Sequence, residues 1–109
     1  MAKMKAMISQ PMGGKTVEEI NEIRGHAIEE LTKRGYEVVD TYFTGEEYSD
    51  SALAEQGIVQ LPLYFLAKSL EAMSLCQAVY FCRGWEEARG CRSEHETAKA
   101  FGVGIFYDW

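Results

Sequence analysis

Histidine is scarce in this chain, and long apolar runs are missing from it. Only His26 and His95 occur, and neither pairs with a cysteine at the spacing of a zinc site. No metal site is expected. Cys76, Cys82 and Cys91 are odd in number and form no C-x-x-C. They are expected as buried or partly buried thiols in a reducing cytoplasm, not as a disulfide framework. No apolar run approaches the ~18 residues of a membrane span. The N-terminus has lysines but no long apolar core or small-residue cleavage site, so no secretion signal is expected and the location reads as cytoplasmic. Positive charge is in deficit: 11 Lys and Arg against 17 Asp and Glu leave a formal net charge of -6. That argues against a nucleic-acid polymer as main partner, though not against a small phosphate held by local donors. No internal repeat, low-complexity tract or linker interrupts the 109 residues, so residues 1–109 are expected to be one domain.

What the chain does have is alternation of short apolar runs with helical stripes. Met4 to Ser9 reads as a strand, broken by Gln10-Pro11-Met12-Gly13-Gly14. Thr16 to Arg34 reads as a helix, with Thr16 and Glu19 as a capping box and Gly35 beyond its end. Its apolar stripe is Val17, Ile20, Ile23, Ala27, Ile28 and Leu31. Tyr36 to Asp40 reads as a second strand. Thr41 to Gln60 is polar and acidic, with a short helix near Ser51 to Glu55, and its length suggests a lid or a partner contact. The next helix starts near Pro62 and offers Leu63, Leu66, Ala67, Leu70 and Met73 as a buried stripe. Ala78 to Cys82 is a third strand, about Cys91 to Phe101 a last helix, and Val103 to Tyr107 a fourth strand.

This order predicts an α/β protein: a small flavodoxin- or Rossmann-like three-layer sandwich on a four-stranded parallel sheet, order 2-1-3-4. The loops after the first and third strands then face each other at the switch point, where ligands bind in such sheets. Those loops hold the residues of interest. Ser9 to Thr16 nearly matches a phosphate-binding P-loop, but Ser9 replaces its first glycine and no Asp follows the third strand to help hold Mg²⁺. The same glycine turn can instead hold an anion or a sugar hydroxyl, with Gln10, Met12, Gly13 and Gly14 as contacts. Across the crevice, Gly84 and Trp85 form a loop tip, and Trp85 is either a packing residue or a stacking platform for a base. Arg89 and Arg92 are solvated charges or a phosphate clamp. Asp40 ends the second strand at the ligand edge, where a turn-starting aspartate is also natural. Ser93 and Glu96 repeat the capping-box spacing, which puts Glu94 in a first helical turn, where the helix dipole should lower its pKa and keep it ionised as a nucleophile requires.

Three stretches together carry a resemblance: MISQPMGGKTVEEI, GYEVVDTYF and AVYFCRGWEEARGCRSEHETAKAFG. They resemble a family of small, mostly uncharacterised bacterial and phage proteins, itself similar to the nucleoside 2-deoxyribosyltransferase superfamily. The similarity runs from Met4 to about Tyr107. In those transferases a Gly-Thr-x-x-Glu-x-Gly-x-Ala segment opens a helix and its Glu attacks the sugar; Gly90, Glu94 and Ala98 match it here. The transferases' Gly-Pro turn is Gln10-Pro11 in this chain, and Gln77 stands where they carry an Asp before the third strand.

The resemblance implies an N-glycosyl hydrolase or deoxyribosyltransferase that acts on a small-molecule nucleoside or nucleotide, with Glu94 as nucleophile and no cofactor. The general acid is left unassigned, with Asp40 as the candidate for it, and the base would stack near Trp85. A non-catalytic module binding a nucleotide-derived ligand is the alternative, and a P-loop-like phosphate binder the third reading. A homo-oligomer is expected for so small a domain with an exposed apolar helix stripe.

Overall fold

The computed structural model describes residues 3–108. The elements are β1 (Lys5–Ser9), α1 (Val17–Lys33), β2 (Glu37–Val38), α2 (Asp50–Glu55), α3 (Leu61–Met73), β3 (Ala78–Phe81), α4 (Arg89–Ala100) and β4 (Gly104–Tyr107), with 3-10 turns at Glu46–Tyr48 and Trp85–Glu87. The sheet is entirely parallel in the order β2-β1-β3-β4, the expected three-layer, Rossmann-like arrangement. Among the described residues no helix is long and apolar enough to cross a membrane.

Strand periodicity divides the core in two. Ala6, Ile8, Ala78, Tyr80 and Cys82 pack with Ala27 and Leu31 of α1 on one face. Met7, Val79 and Phe81 pack with Ala72 and Met73 of α3 and Ala98 of α4 on the other. Ser9 has the parity of Met7, so it points toward α3 and α4. In the ladder it lies opposite Phe81.

Helix α1 begins as expected: Thr16 accepts from the Glu19 N–H at 3.1 Å, and the Glu19 carboxylate accepts from the Thr16 N–H at 3.0 Å. Its buried stripe is narrower than the apolar pattern, comprising Ile20, Arg24, Ala27 and Leu31. Val17 in the first turn and Ile28 on the flank stay exposed. In α3 the expected stripe is rotated. Ser69, Ala72 and Met73 are buried, while Leu63 is 61% exposed and Ala67 is also outside the core. This helix is apolar on most of its faces, so periodicity could not choose the inward one.

Two other boundaries move. Strand β2 is shorter than Tyr36 to Asp40, because the chain turns at Asp40, whose carboxylate accepts the Tyr42 N–H at 2.9 Å. Helix α4 starts earlier, at Arg89, behind an Ala88 N-cap that makes no side-chain bond. The second capping box therefore does not form. Ser93 lies inside the helix, its carbonyl accepting from the Thr97 hydroxyl at 2.8 Å, and Glu96 is an exposed residue 3.9 Å from Lys99.

Candidate active site

The shift in the start of α4 changes what Glu94 is. It occupies the second turn, not the first, and belongs to the inward stripe Cys91, Glu94, His95, Ala98. A carboxylate is thereby driven into the layer between α4, α3 and the sheet, with only 8% of its surface exposed. It does not go unpartnered: the Ser9 hydroxyl donates to Glu94 Oε2 at 2.7 Å. Burial pushes the Glu94 pKa up to about 7, while hydrogen bonds from Ser9 and then Ser69 pull the other way. The expected lowering by the helix dipole is therefore reversed. Desolvation of the charged form outweighs two hydroxyl donors, and Glu94 is too far along the helix for the dipole to act strongly.

Glu94 forms part of the wall of a cavity of about 320 Å³. Ser69 of α3, Gly90 of α4 and Thr41 line it with Glu94, and the Thr41 hydroxyl is held by the Ile8 carbonyl at 2.9 Å. The remaining wall is apolar and aromatic: Met12 from the turn after β1, Tyr42 and Phe43 from the segment after β2, and Phe65 and Leu66 from α3. Phe43 and Phe65 lie nearly parallel, 21° apart with centroids 6.4 Å apart, and Tyr48 buttresses Phe43 at 5.3 Å. No Lys, Arg or His lines this cavity among the described residues. A second hollow of about 430 Å³ shares Pro62, Leu66 and Gly90 with it and carries Arg89 and Ser93.

The segment expected to be a lid thus supplies a wall of the cavity. It is anchored as well: Leu53 of α2 is fully buried, and Ser49 caps that helix by accepting the Ala52 N–H at 3.2 Å.

Only Met12 of the other expected contact residues shares the cavity with Glu94. The loops after β1 and β3 do meet, with Gly13 and Gly84 in one hollow of about 290 Å³ alongside Pro11 and Lys15. Gly84 needs its glycine, since its φ is 87°. Gly14, with φ 75°, completes the turn before α1, where the Lys15 N–H donates back to the Met12 carbonyl. Trp85, Arg89 and Arg92 line a separate open hollow with His95. There Trp85 is a packing residue, stacked on His95 at 4.1 Å and tilted against Phe81 at 5.4 Å. His95 in turn meets the Tyr107 hydroxyl at 2.6 Å. Arg92 donates to the Glu86 carbonyl at 2.9 Å. Gln10 has the parity of Ile8 and points to α1, where its amide donates to the Ile20 carbonyl at 2.7 Å. Asp40 is bound to Arg24 at 2.7 Å and lies outside the cavity lining. Gln77 is at the amino end of β3, accepting the Lys5 N–H at 2.6 Å. That is the opposite end of the sheet from Ser9 and Glu94.

Sequence reasoning missed Ser9, Ser69, Tyr42, Phe43 and Phe65. One signal was present: Cys91, Glu94, His95 and Ala98 recur at offsets of three, four and seven, which places Glu94 on a core face. The cysteines are buried or partly buried, as expected, with Cys76 the partly buried one. All three are free, and burial pushes the Cys82 thiol up to about 12 and those of Cys76 and Cys91 up to about 11.

Fold and site together define a small parallel α/β protein with a buried, hydroxyl-bound carboxylate in an aromatic-walled cavity at the switch point. The chain belongs to the family described as Domain of unknown function (DUF4406), whose model matches residues 4–107. No curated protein and no solved structure matches it. The family description makes no link to nucleoside deoxyribosyltransferases.

Proposed function

We propose that the protein is an N-glycosyl hydrolase or deoxyribosyltransferase acting on a nucleoside or nucleotide, with Glu94 as the attacking group. The observation that carries this reading is Glu94 itself, a carboxylate buried among aromatic walls in a cavity of about 320 Å³ and held by a strand-end serine. The register of Gly90, Glu94 and Ala98 with the transferase motif supports it. A planar base would lie against Phe43 and Phe65, which replace Trp85 as the stacking surface in this reading, with the sugar between Met12 and Glu94. A Glu94 oxygen forms a bond to the anomeric carbon as the bond from that carbon to the base nitrogen breaks. The electron pair leaves with the base, which takes up a proton from water. Water or a second base then displaces the carboxylate. Ionised Glu94 is the reactive form, so the rate should rise with pH through about 7.

No side chain of the cavity is assigned as general acid, since Asp40 is committed to Arg24. That absence supports the alternative, a binding module for a nucleotide-derived ligand. Incubation with a panel of nucleosides and their monophosphates separates the two. Base release by wild type, lost by orders of magnitude in Glu94→Gln with ligand binding retained, is the expected outcome. Binding without release by either protein would leave the module and sink the enzyme. Mg²⁺-dependent ATP binding would favour the P-loop reading instead.

A further inference from the structure

We infer that Ser9 is the positioning residue of this site, its hydroxyl fixing one oxygen of Glu94 and stabilising the ionised carboxylate from the sheet side. The inference rests on the glycosyl reading only for its kinetic consequence.

The geometry is specific. Ser9 Oγ donates to Glu94 Oε2 at 2.7 Å with Ser9 1% and Glu94 8% exposed. Solvent does not compete for a bond buried this deeply, and the short distance suits a donor to a charged acceptor. Ser9 cannot drift, because it is the last ladder residue of β1, opposite Phe81, and its carbonyl accepts the Cys82 N–H at 3.0 Å. The two hydroxyls near Glu94 differ in access. Ser69 lines the cavity, where a substrate hydroxyl can displace it, whereas Ser9 does not. Ser9 therefore acts through Glu94 and touches no substrate.

The groups around the pair leave the hydroxyl in control. Cys91 on α4 is beside both residues, but burial holds its thiol near 11, and that of Cys82 near 12. Tyr42 from the segment after β2 lines the cavity with its ring against Arg24, Ser69 of α3 donates to Glu94, and no cation lines the cavity among the described residues. A hydrogen bond donated to a carboxylate favours its ionised form. Without Ser9, burial would act on Glu94 with only Ser69 to oppose it.

The test is a carbon NMR titration of the Glu94 side-chain carboxyl between pH 4 and pH 9, the resonance assigned by its loss in Glu94→Gln. Wild type, Ser9→Ala and Ser9→Cys are compared, with amide spectra to verify folding. The Ser9→Ala midpoint should rise by about one pH unit or more, and Ser9→Cys should fall between, a thiol being a weak donor. If Ser9→Ala does not fold, Ser9→Cys alone decides. Midpoints unchanged or lowered in the folded variants overturn the inference. The titration needs no substrate, so a protein that cleaves nothing refutes the glycosyl reading without touching this one. Where turnover is seen, the acidic limb of kcat should move to higher pH in step with the NMR midpoint while KM stays within a few-fold.

Discussion

Replacing Glu94 by Gln should make the protein more stable at alkaline pH while removing its proposed nucleophile. Glu94 is expected to titrate at 4.5 in the unfolded chain and near 7 in the folded one. Its folded pKa is the higher, so the native state holds the proton more tightly. The sign follows: its contribution to stability is fully present below pH 4.5 and is lost as pH rises through about 7. At about 1.4 kcal/mol per pH unit the loss has an upper bound of roughly 3–4 kcal/mol, most of it between pH 5 and pH 8. Glutamine cannot ionise and keeps an oxygen that the Ser9 hydroxyl can donate to. Wild type and variant should therefore agree within about 1 kcal/mol near pH 4.5. They should diverge by roughly 2–3 kcal/mol in favour of Gln at pH 8. In a domain of this size that is a difference in Tm on the order of 10 °C. Urea or thermal unfolding of both proteins at several pH values measures it, and all other titrating groups cancel in the difference. A gap independent of pH, or a variant less stable than wild type at pH 8, would refute the argument that burial dominates at Glu94.

Other outcomes follow from the same structure. Phe65→Ala and Phe43→Ala should each weaken nucleoside binding by about fivefold or more in calorimetry, since an aromatic pair contributes about 1 kcal/mol beyond the area it covers; undiminished affinity would place the base elsewhere. Asp40→Asn should lower stability by about 1–2 kcal/mol, because Arg24, only 8% exposed, loses its charge partner. Turnover in that variant should stay within a few-fold of wild type, and an orders-of-magnitude fall would restore Asp40 as general acid. Tyr107→Phe removes the hydroxyl 2.6 Å from His95. It should cost about 1 kcal/mol in unfolding without moving the Glu94 titration, and a moved midpoint would show that the Trp85–His95 stack and the cavity are coupled.

The amino-acid pattern alone specified the topology. Strand-helix alternation and right-handed crossovers admit few parallel arrangements, and β2-β1-β3-β4 is the one adopted. It also determined the α1 cap, because Thr16 and Glu19 interact within one turn. Two carboxylates stand out in the sequence, Glu94 and Asp40, Glu94 through the resemblance of Gly90, Glu94 and Ala98 to the transferase motif, and the structure puts only Glu94 in the cavity wall. The environment of Glu94 was not legible. Whether α4 begins at Arg89 or Cys91 moves Glu94 from a solvated first turn to a core stripe, and local capping signals could not decide between them. Packing decided, since Cys91, His95 and Ala98 bury on the same face. Tertiary structure likewise chose Ser9 and Ser69 as partners and gathered Tyr42, Phe43 and Phe65 from distant segments into one wall. It also turned Gln10 toward α1 and left Trp85 on His95. Those contacts join residues between 10 and 85 positions apart. Periodicity reports which face a residue takes on its own element, and only the packing of elements sets what that face meets.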